Sequence, residues 1–107
     1  MAAVKAETEP AGGPRDVEAL CEAFLKLRSA DEARRFLRDL TTPGELAALA
    51  ERWRVARRLD AGGKSYREIA AETGSSTTTV TRVARFLGQE DHQGYRLVLD
   101  RLKETTS

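Results

Sequence analysis

The chain has 107 residues, a net charge of +1, one cysteine and one histidine. That length suits a single small domain whose limited buried surface leaves self-association open as a source of stability. Cys21 alone excludes an intramolecular disulfide and fits a reducing compartment, one His and one Cys do not make a zinc site, and no apolar run approaches the roughly 18 residues of a membrane span.

Residues 1–13 are rich in Ala, Glu, Gly and Pro with almost nothing to bury, and read as a disordered tail. The segment lacks the basic and apolar regions of a secretory signal, so a cytoplasmic location is expected. From Pro14 onward the pattern is helical, and a single domain is expected over residues 14–107. Val17, Leu20, Cys21, Phe24, Leu25 and Leu27 recur at helical spacing and predict a first helix with one apolar face, on which Cys21 serves as a small buried hydrophobe. Ser29 and Glu32 form a capping-box pattern opening a second helix, with Ala33, Phe36, Leu37 and Leu40 on its buried side.

Thr42-Pro43-Gly44-Glu45 repeats that pattern with proline at the first helical position, where its missing N–H costs nothing. The long third helix it opens carries Leu46, Leu49, Ala50, Trp53, Ala56 and Leu59, and Gly62-Gly63 stops it. Ser65 and Glu68 cap a short fourth helix containing Ile69 and Ala70. Ser75 or Ser76 caps a fifth that buries Val80, Val83, Ala84 and Leu87 and ends at Gly88. A sixth starts at Asp91, with Tyr95, Val98, Leu99 and Leu102 apolar. Nothing alternates with the period of a strand, so the fold class is all-α.

The fourth and fifth helices are joined by a short segment containing Gly74, the ingredients of a helix-turn-helix over about residues 65–87. Ala70 permits close approach, Gly74 supplies a left-handed backbone, and Val80 and Val83 return apolar surface onto Ile69 and Ala70. On a helical wheel, Ser75, Thr78, Thr81, Arg82 and Arg85 lie opposite that apolar side, with Thr79 on a flank and Thr77 turned more inward. Short hydroxyls and arginines in the major groove bond base edges and phosphates, and the free N–H groups of a helix start favour a phosphate. Charge agrees: residues 52–85 hold eight basic residues against three acids, between acidic flanks.

Leu40-Thr-Thr-Pro-Gly-Glu-Leu-Ala-Ala-Leu49, the run Arg52 to Leu59, Ser65-Tyr-Arg-Glu-Ile69, Gly74 and Thr79-Val-Thr-Arg82 together resemble the tryptophan repressor superfamily, in its bacterial Trp-repressor-related branch, over about residues 15–103. The resemblance implies a six-helix fold, an intertwined homodimer, and two helix-turn-helix heads on a palindromic operator about one turn apart. It implies DNA contacts from Tyr66, Arg67, Thr77, Thr78, Thr79 and Thr81. To these the wheel and capping pattern add Ser75, Ser76, Arg82 and Arg85. It further implies a ligand pocket at Thr42, Arg52 and Arg82. Val83 and Phe86 depart from the family by adding bulk where an indole ring would sit, and overpacking costs about 1–3 kcal/mol per site. Tryptophan is therefore not expected as corepressor. Either an unidentified small effector is used or Phe86 plugs the pocket, and the plug is favoured.

The function expected is a sequence-specific transcriptional regulator on double-stranded DNA, in the manner of a repressor, with no cofactor and no membrane partner. The alternative is a helical module that docks another regulator or polymerase. Steep salt dependence on duplex DNA separates the two. An enzyme is disfavoured, because no acid–base pair or nucleophile constellation is visible.

Overall fold

The computed structural model describes residues 10–106, so the part of the expected tail before residue 10 lies outside it. Six helices follow in order: α1 (Pro14–Phe24), α2 (Ala30–Leu40), α3 (Pro43–Ala61), α4 (Tyr66–Thr73), α5 (Thr77–Gly88) and α6 (Gly94–Thr106). Among the described residues there is no strand. The chain divides into two compact units, one ending at Thr42 and the other beginning at Pro43.

In the first unit, Pro10 accepts a bond from Gly13 N at 3.1 Å, and α1 begins with proline at its first position. α1 is shorter than expected. It ends at Phe24, and Leu25 and Leu27 fall in the connection that follows. Ser29 Oγ caps α2 by accepting from Glu32 N at 3.1 Å. The Glu32 carboxylate reaches back one residue further than a capping box requires, to Arg28 N at 2.9 Å. Phe24 and Phe36 meet edge to face, with centroids 5.5 Å apart.

Neither α1 nor α2 has a fully buried residue. The expectation that Cys21 is a buried hydrophobe is therefore corrected: it is exposed. Two 11-residue helices have too little apolar area to bury a side chain against each other alone, and Val17 stays 53% exposed.

The second unit holds the core. Val55, Ala56, Ile69, Ala70, Val80 and Val83 form one buried cluster, against which Trp53, Leu59 and Tyr95 pack. α3, α4 and α5 pack pairwise, and α6 packs on α3 and α5. Val55 was not on the apolar face anticipated for α3. That helix has neighbours on more than one side, so its apolar residues spread around it and no single stripe identifies them. Trp53 and Tyr95 stack with centroids 6.4 Å apart, bringing α6 onto α3.

Ion pairs lock the same helices. Asp60, near the end of α3, accepts from Arg96 at 2.8 Å and pairs with Lys103 at 2.9 Å, both on α6. These bonds, that from Lys103 first, hold the Asp60 carboxyl below its usual range. α6 starts at Gly94 and not at Asp91, because Gln93 takes φ = 54°, outside the helical region. Leu99 of α6 is buried, whereas Leu97, Val98 and Leu102 remain about half exposed.

Candidate nucleic-acid interface

α4, the turn and α5 are fixed by local chemistry. Ser65 and Glu68 form a complete capping box, with Glu68 N to Ser65 Oγ at 3.1 Å and Ser65 N to Glu68 Oε1 at 2.8 Å. Gly74 ends α4 in the left-handed conformation at φ = 73°, and both its N–H and that of Ser75 bond the Ala70 carbonyl. Ser76, the second of the two serines anticipated as caps, opens α5 by accepting from Thr79 N at 3.0 Å.

One further cluster orients α4. Glu72 pairs with Arg58 of α3 and with Lys64 of the intervening loop, and Arg54 Nη2 reaches the Glu72 carbonyl at 3.5 Å. The bond from Lys64, then that from Arg58, holds the Glu72 carboxyl below its usual range. Sequence reading missed this cluster because its members stand 8, 14 and 18 residues apart.

With α4 and α5 so fixed, Val80 and Val83 face the core at 0% and 1% exposure. Thr77, Thr78, Thr81, Arg82 and Arg85 are exposed and line one open hollow of about 360 Å³. Thr77, which the wheel turned inward, belongs to this face, because the first residue of a helix has no preceding turn to cover it. Tyr66 and Arg67 at the start of α4 are exposed, and Thr79 is half-buried. Ser75 differs from expectation: its Oγ is buried, without a hydrogen-bond partner among the described residues, so it does not stand on the exposed face. The Ser76 hydroxyl is engaged with Thr79 at 3.1 Å. Arg85 is paired with Glu90, Nε to Oε2 at 3.0 Å.

Of the residues anticipated for a ligand pocket, Arg82 and Phe86 meet. Arg82 lays its guanidinium 4.5 Å over the Phe86 ring, and Phe86 stacks on His92 with centroids 6.2 Å apart and planes 13° apart. Arg82, Phe86, His92, Gly94 and Tyr95 line a hollow of about 320 Å³. Val83 and Arg52 are not among them: Val83 sits in the hydrophobic core, and Arg52 is half-buried on α3. Thr42 is exposed, immediately before the first residue of α3. His92 is exposed to solvent, and its stack on Phe86 was not legible from spacing.

Residues 15–103 match the family model for the Trp repressor protein. The chain belongs to the Trp repressor family. Within that family it falls in the YerC-type branch. It is 41% identical over 91 residues to "Uncharacterized protein YerC" of Bacillus subtilis (strain 168), covering 85% of this chain and 86% of that one. A solved TrpR-like protein from Eubacterium eligens ATCC 27750 is 39% identical with a TM-score of 0.75, over 83% of this chain and 90% of that one. A solved structure from Staphylococcus aureus is 33% identical with a TM-score of 0.76, over 85% and 89%. The fold is thus the all-α Trp repressor-like fold. The family is one of DNA-binding transcriptional regulators and not of enzymes. Among the described residues no helix is long and apolar enough to cross a membrane.

Proposed function

We propose that this Trp repressor family member is a sequence-specific regulator that binds a palindromic operator as a homodimer, represses by occupying a promoter, and does so without tryptophan. The observation that carries the reading is the division of α5. Its fully buried Val80 and Val83 turn Thr77, Thr78, Thr81, Arg82 and Arg85 outward as one hydroxyl and guanidinium face. Such a face on the second helix of a helix-turn-helix suits the major groove, with phosphate contacts setting affinity and base contacts setting choice.

Dimerisation is supported by apolar surface that the single chain leaves uncovered. Val17 and Phe24 of the first unit, and Leu97, Val98 and Leu102 of α6 in the second, are each 40–53% exposed, and large apolar side chains left in water favour association. Independence from tryptophan is supported by Phe86, which already occupies the face of Arg82.

In vitro selection of random duplexes, followed by sedimentation of the protein alone and with the winner, tests the whole reading. Expected are a two-fold symmetric sequence and a dimer bound to it. Selection that enriches nothing, or a chain that stays monomeric on and off DNA, refutes the proposal.

A further inference from the structure

Thr81 differs from the other hydroxyls of α5. Its Oγ1 donates to the carbonyl oxygen of Thr77, one turn back, at 2.9 Å. A carbonyl oxygen carries no hydrogen, so the single hydroxyl proton of Thr81 must lie on that line. What remains on the solvent side is a pair of lone pairs. Thr77 and Thr78 have made no such commitment: no hydrogen bond engages their hydroxyls among the described residues. The hydroxyls of Ser76 and Thr79 are occupied with each other at 3.1 Å.

Polarity then decides what Thr81 accepts from the groove. Phosphate oxygens, guanine O6 and N7, adenine N7 and thymine O4 are all acceptors, and facing them with a second acceptor is repulsive. The donors that the major groove displays are the exocyclic amino groups of adenine and cytosine. Turning the hydroxyl toward a phosphate would break its bond to the Thr77 carbonyl. Arg82 and Arg85, in the same hollow, are donors only, so phosphates and guanine already have partners there.

We propose that Thr81 is an acceptor-only reader, recognising the exocyclic amino group of one adenine or cytosine per half-site and making no bond to phosphate. This deepens the operator-binding reading and rests on it.

The test uses the duplex selected against the full chain. Each adenine in turn is replaced by purine, and each cytosine by 2-pyrimidinone, both lacking the amino group. Binding of the wild type, Thr81→Val and Thr81→Ser is followed by fluorescence anisotropy. For the wild type, one symmetry-related substitution should weaken binding by roughly 3–10-fold, the range of a single neutral hydrogen bond. Thr81→Val should weaken binding to the parent duplex by a similar factor and be indifferent to that substitution, whereas Thr81→Ser should behave as the wild type. A response in the purine series names adenine, and one in the pyrimidinone series names cytosine.

Equal sensitivity of the wild type and Thr81→Val at every position overturns the assignment while leaving operator binding intact. So does a uniform loss by Thr81→Val on all duplexes with a shallower salt dependence, which marks a phosphate contact. A wild type that binds no duplex overturns the operator reading itself and this inference with it.

Discussion

Arg82 and Phe86 stand one turn apart on α5, and the guanidinium carbon lies 4.5 Å from the ring centroid. His92 also stacks on that ring, with centroids 6.2 Å apart. An aromatic side chain of the protein thus covers the cation that the family resemblance would assign to a ligand. Wild-type protein titrated with tryptophan in a calorimeter should give no saturable heat up to millimolar concentration. Phe86→Ala should lower operator affinity by a factor of about 2–5, the equivalent of an exposed cation–π contact of about 0.5–1 kcal/mol that holds Arg82 in place. Micromolar tryptophan binding by the wild type would sink the plug.

The turn between α4 and α5 makes a separate demand. Gly74 has φ = 73°, and a Cβ built there would meet nothing within 4 Å. Any penalty for Gly74→Ala is therefore conformational and not steric, about 1–2 kcal/mol for a non-glycine residue in the left-handed region. Thermal unfolding should show a fall in Tm of about 5–15 °C. Gly74→Asn should recover part of it, because asparagine tolerates that backbone better. Equal losses for both variants would mean that space, and not backbone conformation, governs the turn.

Asp60 sets an acid limit on the packing of α6. Its carboxyl lies below the ordinary 3.8 because Lys103 and Arg96 hydrogen-bond the charged form. A depressed carboxylate contributes stability that is fully present above its unfolded value and lost as pH falls through its folded one. Asp60→Asn should cost about 1 kcal/mol at pH 7, since Asp60 is shielded although its partners are partly exposed. The gap to the wild type, read from urea midpoints, should close as the pH falls below 3.8. A gap that persists unchanged at pH 2–3 would show that the charge on Asp60 is not what matters.

How far the sequence could be read follows from the range of each interaction. The Ser65–Glu68 box, the Gly74 turn, Val80, Val83 and the Arg82–Phe86 spacing all lie within a few residues and follow from helical geometry. The links Arg58–Glu72 and Asp60–Arg96 span 14 and 36 residues, and nothing local selects those partners from the many charged residues available. Ser75 failed for another reason. It stands two residues before α5 begins, in a turn where helical periodicity no longer applies and the hydroxyl is buried. Cys21 failed because an apolar stripe predicts that a face seeks cover, without saying that the single chain supplies it.

Arg85 and Glu90 carry the last prediction. They form an ion pair at 3.0 Å with side chains 64% and 29% exposed, so Arg85 does not reach the hollow of α5 with its charge unopposed. An exposed pair of this kind contributes at most about 1 kcal/mol, little enough for a phosphate to compete for the arginine. Glu90 therefore restrains attraction to any polyanion without choosing among sequences. Glu90→Gln should tighten binding to every duplex alike, by roughly 2–5-fold, and steepen the salt dependence by about one unit as Arg85 neutralises an additional phosphate. Arg85→Ala combined with Glu90→Gln should abolish that gain, because the released charge is then absent. If Glu90→Gln instead changes which sequence is preferred, Arg85 reads a base. If affinity and salt slope stay as in the wild type, the arginine lies beyond the reach of the DNA.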